Sequence, residues 1–125
     1  MPHLVVEYSQ NIEQQFDVAT LLAAVHGAAC ELDCFKIDTI RTRTEPREDF
    51  LVGNGDKANA FIAIDIRMGP GESEETRMRI GRHIFAAAER CIAGARSHLD
   101  IKLSLELRES SSVRLREETK AGGHA

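Results

Sequence analysis

The chain has 125 residues, of which 29% are charged and 42% are hydrophobic, and its formal net charge is −4. A chain of this length fits a single domain, which we place at residues 1–125, that buries about two-thirds of its unfolded surface. The acidic balance and the 5% aromatic content without Trp argue against nucleic acid as a partner. Any anion that this protein binds must therefore be attracted by a local group of arginines.

No membrane span or secretory signal is recognisable in the sequence. The longest apolar stretch, residues 18–30, is interrupted by His26 and Gly27 and is shorter than the roughly 20 residues that a membrane span needs. The N-terminal residues lack the basic and apolar regions of a signal peptide, and the cysteines are odd in number. We therefore expect a cytoplasmic protein with reduced cysteines and no membrane partner.

The first predicted element is a strand that begins almost at the N-terminus. Leu4-Val5-Val6-Glu7-Tyr8 is rich in β-branched and aromatic residues. Removal of Met1 would give Pro2 a free secondary amine, and α-amines titrate at about 7.7–8.0. Burial or nearby positive charge would lower that pKa toward neutrality, the range that suits a proton shuttle. Pro2 is thus a candidate catalytic base, and the alternative is an ordinary second residue.

The first helix is predicted to begin near Asp17, because apolar residues recur after it at intervals of three and four. Two extended segments follow, at residues 37–43 and 50–52, with a loop or bulge around Pro46 between them. Arg41 and Arg43 are two residues apart, so on a strand they project to the same side, where their guanidiniums match a carboxylate. The alternative is surface pairing of these arginines with the acidic residues at 45, 48 and 49.

The second half of the chain repeats the strand-helix-strand order. Gly53-Asn54-Gly55-Asp56 predicts a turn, and residues 60–66 predict a buried strand. Ser73 can cap a second helix whose first turn is acidic, although Gly81 and Gly94 inside it each cost about 1 kcal/mol relative to alanine. Close packing must therefore compensate at both glycines. Residues 101–108 alternate apolar and polar side chains, which predicts a strand with one buried face.

The expected architecture is an α/β (α+β) domain made of two β-α-β repeats, at about 2–58 and 59–109, followed by a polar tail at 110–125. The two repeats form a four-stranded sheet with two helices on one face. The other face would expose apolar residues such as Val5 and Ile64, so we expect oligomerisation to cover it. In the tail we expect a mobile end, and residues 113–116 could pair as an edge strand with a neighbouring subunit.

The N-terminal string Pro2-His3-Leu4-Val5-Val6-Glu7-Tyr8-Ser9, followed by Asn11-Ile12, resembles the 5-carboxymethyl-2-hydroxymuconate isomerases. The resemblance extends to about Leu107. This family belongs to the tautomerase superfamily, whose members use an amino-terminal proline as the catalytic residue and assemble as homotrimers. The resemblance implies a tautomerase-like fold, a homotrimer, and a cofactor-independent isomerase in the breakdown of aromatic acids.

The resemblance also implies roles for particular residues. Arg41, in an Ile-Arg-x-Arg setting, occupies the position of an arginine that binds substrate carboxylate, and Arg43 is a weaker candidate. Phe50 lies where the family places an aromatic side chain beside the substrate, although plain core packing would explain it equally well. Relatives carry an arginine where this chain has Glu72, which would repel a carboxylate. Arg67 or Arg77 could supply the charge instead, but a solvated surface role or neutralisation of a helix dipole suits each of them better.

Other chemical motifs are weak in this sequence. Cys30 and Cys34 lack a second pair of ligands at zinc spacing, so we expect them to be small buried hydrophobes and expect no metal. No phosphate-binding loop or dinucleotide fingerprint is present, so no cofactor is expected. The remaining alternatives are a tautomerase of another keto-enol acid, of the phenylpyruvate type, and a non-catalytic trimeric binding protein with the same fold.

Overall fold

The computed structural model of the chain describes residues 1–111 and 113–119. Four strands form one sheet in the order β2-β1-β3-β4. The elements are β1 (His3–Ser9), α1 (Val18–Cys30), β2 (Arg41–Arg47), β3 (Asn59–Met68), α2 (Glu74–Gly94) and β4 (Asp100–Glu109), with short 3-10 turns at Gln10–Gln14 and Ile37–Thr39. Each helix connects two parallel strands, and β1 is antiparallel to β3. The predicted α+β architecture with tandem β-α-β units is confirmed.

Both helices begin where capping residues were predicted. The Asp17 carboxylate accepts a hydrogen bond from the backbone N–H of Ala19 at 3.0 Å, and the Ser73 hydroxyl accepts one from the N–H of Thr76 at 3.1 Å. Each side chain satisfies a backbone donor that the first turn of a helix leaves without a partner. The two caps therefore fix where the helices leave the sheet.

The two helical glycines of α2 differ in their surroundings. A Cβ added at Gly81 would lie 3.4 Å from Leu105 Cδ2, so the predicted close approach between α2 and the sheet is confirmed there. Gly94 is the last helical residue, and a Cβ there would meet nothing within 4 Å. The prediction of compensating packing at Gly94 is wrong, because the helix ends at this residue and no neighbour approaches it.

The core lies between the helices and one face of the sheet. Alternate residues of β1 and β3 point into it, which follows from the two-residue periodicity of a strand. The largest fully buried side chains are Leu4, Ile12, Leu21, Ile62, Ile64, Ile66, Ile80, Ile84, Val6, Val25 and Ser9.

The opposite face of the sheet is polar, which corrects one prediction. Ile64 is only 2% exposed and lies on the helix side, opposite Val6, so it is not on the open face. Val5 does lie on the open face, next to Arg43 and Asp65 in the strand register. The open face carries mainly charged side chains because the apolar positions of both inner strands alternate toward the helices.

The segment around β2 differs from the prediction in three places. Residues 37–39 form a 3-10 turn rather than part of a strand. The strand continues through Pro46 to Arg47, where a loop was expected, because β2 is an edge strand whose free side tolerates a residue without an N–H. Residues 50–52 belong to the loop that follows and not to a strand.

The first part of the tail runs over the amino end of the sheet. The N–H of Ser110 donates a hydrogen bond to the carbonyl oxygen of Met68 at 2.7 Å, and the described residues beyond Ser110 form no strand. The predicted pairing of residues 113–116 with a neighbouring subunit stays a prediction, and the predicted mobile end at 120–125 lies outside the described residues. Within the described part of the chain, neither helix is long and apolar enough to cross a membrane.

Candidate active site

Pro2 and Arg41 lie side by side at the amino end of the sheet. The backbone N–H of Arg41 donates a hydrogen bond to the carbonyl oxygen of Pro2 at 3.1 Å, at the point where β1 and β2 begin in parallel. Pro2 is buried, whereas the Arg41 side chain is exposed and its Nη1 donates to the carbonyl oxygen of Thr39 at 3.1 Å. Two residues that are far apart in sequence are therefore held together by the pairing of parallel strands.

A cavity of about 290 Å³ opens at this end of the sheet. None of its described lining residues is acidic. Three arginines line the cavity, one at the end of β3 and two from the tail. The full lining is Met1, His3, Arg67, Ser110, Ser111, Val113, Arg114, Leu115 and Arg116. A pocket with this lining attracts anions, because guanidiniums carry their charge at all physiological pH values.

The terminal amine of Met1 lies within this positive environment. Burial lowers its pKa below the ordinary value of 8.0, and the positive charges of Arg114, Arg116 and Arg41 lower it further. Both causes disfavour the charged ammonium form. An amine at this position is therefore more readily neutral near pH 7 than a solvated one.

Arg43 contacts the side chain of His3. Its Nη1 lies 3.2 Å from His3 Nδ1, and since a guanidinium can only donate, Nδ1 must be the accepting, unprotonated nitrogen. Burial lowers the pKa of His3, and so do the positive charges of Arg67, Arg43 and Arg41. His3 is thus held as a neutral imidazole, and Arg43 is directed toward the amino end of β1 rather than toward an acidic residue.

The predicted alternative for the two arginines of β2 does not occur. Among the described residues, neither Arg41 nor Arg43 forms an ion pair with a carboxylate. The carboxylate of Glu45 instead accepts from Arg47 Nη2 at 2.9 Å, and Glu7 accepts from Arg47 Nε at 2.7 Å. Both guanidiniums thus remain available to a ligand, although neither Arg41 nor Arg43 is among the residues that line the cavity at the amino end.

Phe50 lies at the opposite end of the sheet from Pro2. It follows Arg47, which pairs with Ser9 at the far end of β1. At about 3.3 Å per residue, the length of β1 separates the two ends by roughly 20 Å. Phe50 is half-buried in its loop and can reach an active site at Pro2 only if that site belongs to another copy of the chain.

Arg67 and Arg77, the two alternative sources of positive charge, lie in different parts of the fold. Arg67 lines the cavity at the amino end. Arg77 instead forms an ion pair with Glu109 and donates to the carbonyl oxygen of Glu72 at 3.3 Å, so its charge is used within the fold. Glu72 is exposed and is not among the residues that line the cavity.

A larger hollow of about 810 Å³ lies on the open face of the sheet. Its lining includes Glu7, Glu45, Asp65 and Glu106, which offset the arginines there, and Arg108 is already paired with Asp65 at 2.9 Å. The smaller cavity is therefore the better candidate for binding an anion, since its described lining carries positive charge without offsetting carboxylates.

The cysteines are set apart from this site. Cys30, Cys34 and Cys91 are free thiols, half-buried and packed against the core. Burial raises the pKa of the Cys34 and Cys91 thiols. Within the described part of the chain, no group of three or more His, Cys, Asp or Glu residues could hold a metal ion.

Arg114 and Arg116 are the residues at this site that the sequence did not identify. Their spacing repeats that of Arg41 and Arg43, two arginines separated by one residue, and that repetition was the only signal in the sequence. Nothing local in a polar tail indicates which end of the sheet it crosses. The fold decides this, because β4 ends beside the end of β3, at the same edge of the sheet where β1 begins.

Comparisons with known proteins agree on one family. Residues 2–120 match the family model of 5-carboxymethyl-2-hydroxymuconate isomerase. The chain is 28% identical over 109 residues to the 5-carboxymethyl-2-hydroxymuconate Delta-isomerase of Escherichia coli, covering 87% of this chain and 86% of that protein. A crystal structure of a 5-carboxymethyl-2-hydroxymuconate delta-isomerase has a similar fold, with a TM-score of 0.83 and 21% identity over 95% of this chain and 89% of that one. The fold is also similar to that of a fused 4-OT wild-type symmetric trimer, with a TM-score of 0.65 and 13% identity over 98% and 99% of the two chains.

Proposed function

The chain belongs to the 5-carboxymethyl-2-hydroxymuconate isomerase family, and we propose that it converts 5-carboxymethyl-2-hydroxymuconate, or a similar dienol acid, to its oxo-enoic isomer without a cofactor. The observation that carries this proposal is the position of the N-terminus: the Met1 amine, one residue before Pro2, is partly buried among arginines at an anion-attracting cavity. The remaining features of the site can be assigned to steps of this reaction.

The proposed reaction is a proton transfer within one substrate. After removal of Met1, the neutral amine of Pro2 takes the proton from the 2-hydroxy group of the dienol acid, which leaves a dienolate. The resulting ammonium then returns the proton to carbon, and the conjugated oxo-enoic acid forms. The amine ends in the state in which it began, so neither an oxidant nor a cofactor is consumed.

Arg41 is proposed to bind a substrate carboxylate and to stabilise the negative charge of the dienolate. Its side chain is exposed beside Pro2 and forms no ion pair with a carboxylate among the described residues. A planar guanidinium can form two parallel hydrogen bonds to a carboxylate, which orients as well as binds. Arg43 is proposed to assist through its position beside His3, two residues along the same strand.

We further propose a homotrimer in which Phe50 of one copy reaches the cavity of another. Phe50 and Pro2 lie at opposite ends of the sheet within one chain, and β2 and β4 are both edge strands. An aromatic wall from a neighbouring copy would exclude water and keep the amine's pKa low. Sedimentation analysis at micromolar concentration tests the assembly, and a monomer would contradict this part of the proposal.

The function is tested by comparing wild-type protein with Pro2→Ala on a panel of dienol and enol acids, followed by ultraviolet absorbance. Intact mass must first confirm that Met1 is removed from both proteins. Pro2→Ala replaces the rigid secondary amine by a primary amine on a freer residue, and since a positioned general base contributes about 100-fold to 10,000-fold, turnover should fall by at least about 100-fold. Equal rates for the two proteins would refute the role of Pro2.

Two other functions are distinguished by the same experiment. Glu72, an acidic residue where relatives carry an arginine, favours a different keto-enol acid, of the phenylpyruvate type, and the substrate panel includes such acids. Retention of Met1 in protein from its native host would block the amine and favour a non-catalytic binding protein, which would turn over none of the panel. We propose that the reaction is a step in the catabolism of aromatic acids and takes place in the cytoplasm.

A further inference from the structure

Three arginines gather at the amino end of the sheet without a carboxylate partner in the described part of the chain. Within the described residues, no carboxylate oxygen lies within 4.0 Å of a side-chain nitrogen of Arg41, Arg67 or Arg114. By contrast, Arg47 and Arg108 on the open face of the sheet have carboxylate partners. Like charges gathered without counter-charges disfavour the fold unless an anion binds among them.

The position of Arg114 is defined by backbone contacts and by a glycine. The tail is attached to the end of β3 through the hydrogen bond from Ser110 N–H to the carbonyl oxygen of Met68. The Arg114 guanidinium then lies against Gly69, where an added Cβ would be only 3.3 Å from its Nη2. The missing side chain at Gly69 thus leaves the space that the Arg114 side chain occupies as it lines the cavity.

We propose that Arg114 binds a second carboxylate of the substrate, so that the cavity at the amino end of the sheet selects dianionic acids over monoanionic ones. The inference rests on the proposed function, in which Arg41 binds the first carboxylate. Arg114 supplies from the tail the positive charge that this chain lacks at Glu72. Arg116 is less suitable, because its Nη2 is 3.8 Å from Glu118 Oε2.

The cavity has the dimensions and chemistry for this role. A volume of about 290 Å³ holds a small dicarboxylic acid, and its described lining offers guanidiniums and the hydroxyls of Ser110 and Ser111 without an acidic side chain. The same arginine also lowers the pKa of the terminal amine. That amine is the one of Met1, and we expect Arg114 to act in the same way on the Pro2 amine once Met1 is removed, which would couple carboxylate binding to the charge of the proposed base.

The test compares two acids that differ in one group. trans,trans-Muconate and sorbate have the same six-carbon diene chain, but sorbate has a methyl group where muconate has its second carboxylate. Affinities of both are measured by calorimetry or NMR titration for wild type, Arg114→Ala, Arg114→Lys and Arg90→Ala. Arg90 is an exposed arginine of α2 away from the cavity, so its removal controls for the change in net charge.

We expect Arg114→Ala to weaken muconate binding by about tenfold to a hundredfold, the range for loss of a charged hydrogen bond, with little change in sorbate binding. Arg114→Lys should retain part of the preference for muconate over sorbate, and the control Arg90→Ala should retain all of it. A wild-type protein that binds both acids equally, or an Arg114→Ala protein that keeps the full preference, would overturn the assignment. Thermal unfolding of Arg114→Ala without ligand should be unchanged or shifted slightly upward, because the tail is outside the core and the variant removes one of the gathered like charges.

These outcomes are separable from failure of the proposed function. The preference is measured without turnover, so it does not depend on proton transfer by Pro2. If Pro2→Ala retains both turnover and the dependence on Arg114, the catalytic role fails while the anion assignment stands. If Pro2→Ala loses turnover and Arg114→Ala retains the preference for muconate, the anion assignment fails alone.

Discussion

The backbone N–H of Arg41 and the carbonyl oxygen of Pro2 are joined by a 3.1 Å hydrogen bond. This bond is the first one between two parallel strands, β1 and β2, and it does not depend on the identity of either side chain. The relationship between the proposed base and the proposed carboxylate-binding residue is thus a property of the sheet. Substitutions of either side chain should leave the geometry of the other intact, which makes single variants at this site interpretable.

The first prediction concerns the pH dependence of the reaction. Burial and positive charge lower the pKa of the Met1 amine, and we expect the same causes to act on the Pro2 amine once Met1 is removed. The neutral fraction of the base, and with it kcat/KM, should therefore increase with pH and level off above that lowered pKa. The unfolded chain binds the proton at higher pH than the folded chain, so stability should also rise with pH in the interval between the two pKa values. Rate profiles and unfolding curves measured from pH 5 to about 9 check both trends.

A double variant isolates the cause of this shift. Replacement of Arg114 and Arg116 by alanine removes two of the positive charges that lower the amine's pKa, so the midpoint of the rate profile should move to higher pH. Arg90→Ala is the matched control and should leave the midpoint in place. A midpoint that stays fixed in the double variant would show that the two tail arginines do not lower the amine's pKa.

The second prediction concerns Arg41. Arg41→Ala removes the guanidinium beside Pro2 without changing the backbone pairing, so KM should rise by about tenfold to a hundredfold, the range for one charged hydrogen bond. Arg41→Lys keeps the charge but not the planar fork and should recover only part of the loss. Steady-state kinetics give the values. An unchanged KM would contradict carboxylate binding by Arg41.

The third prediction concerns Tyr8, the single tyrosine of the chain. Its hydroxyl donates a 2.5 Å hydrogen bond to Glu13 Oε2, and burial together with this carboxylate raises the pKa of Tyr8 to about 12. Ultraviolet titration should show no phenolate formation until well above pH 10. A pKa raised by folding means that this group's contribution to stability is present below pH 10 and is lost as pH rises toward 12.

Glu13→Gln provides the comparison for Tyr8. It removes the negative charge but keeps a hydrogen-bond acceptor, so the tyrosine should titrate at lower pH than in wild type while remaining above the value for the unfolded chain. Because the chain has no other tyrosine and no tryptophan, the absorbance change reports on this residue alone. Titration of the wild-type protein near pH 10 would contradict the contact.

The fourth prediction concerns packing between α2 and β4. Gly81→Val places a branched side chain where even a Cβ would lie 3.4 Å from Leu105, and overpacking of this kind costs about 1–3 kcal/mol. Gly94→Val is the same change in the same helix, at an end where nothing lies within 4 Å, and should alter stability little. Denaturant unfolding of both variants measures the difference. Equal effects would mean that the approach at Gly81 is not tight.

The sequence by itself determined the elements and the local chemistry. Runs of apolar and β-branched residues identified β1 and β3, an alternating pattern identified β4, and apolar residues at intervals of three and four identified both helices. Asp17 and Ser73 marked the helix starts, because these signals are read from neighbouring residues. The sequence was a poorer guide to β2, because Pro46 suggested that the strand is interrupted. A proline is tolerated there only because the strand lies at the sheet edge, and the edge position is not encoded locally.

Only the tertiary structure decided which residues share the site. The pairing of β1 with β2 brings Arg41 to Pro2, the end of β4 delivers Arg114 to the same place, and the length of the sheet separates Phe50 from both. These distances depend on long-range strand pairing and on the path of the tail after its last strand. Residue patterns report which side of an element is buried, but not which ends of different elements meet.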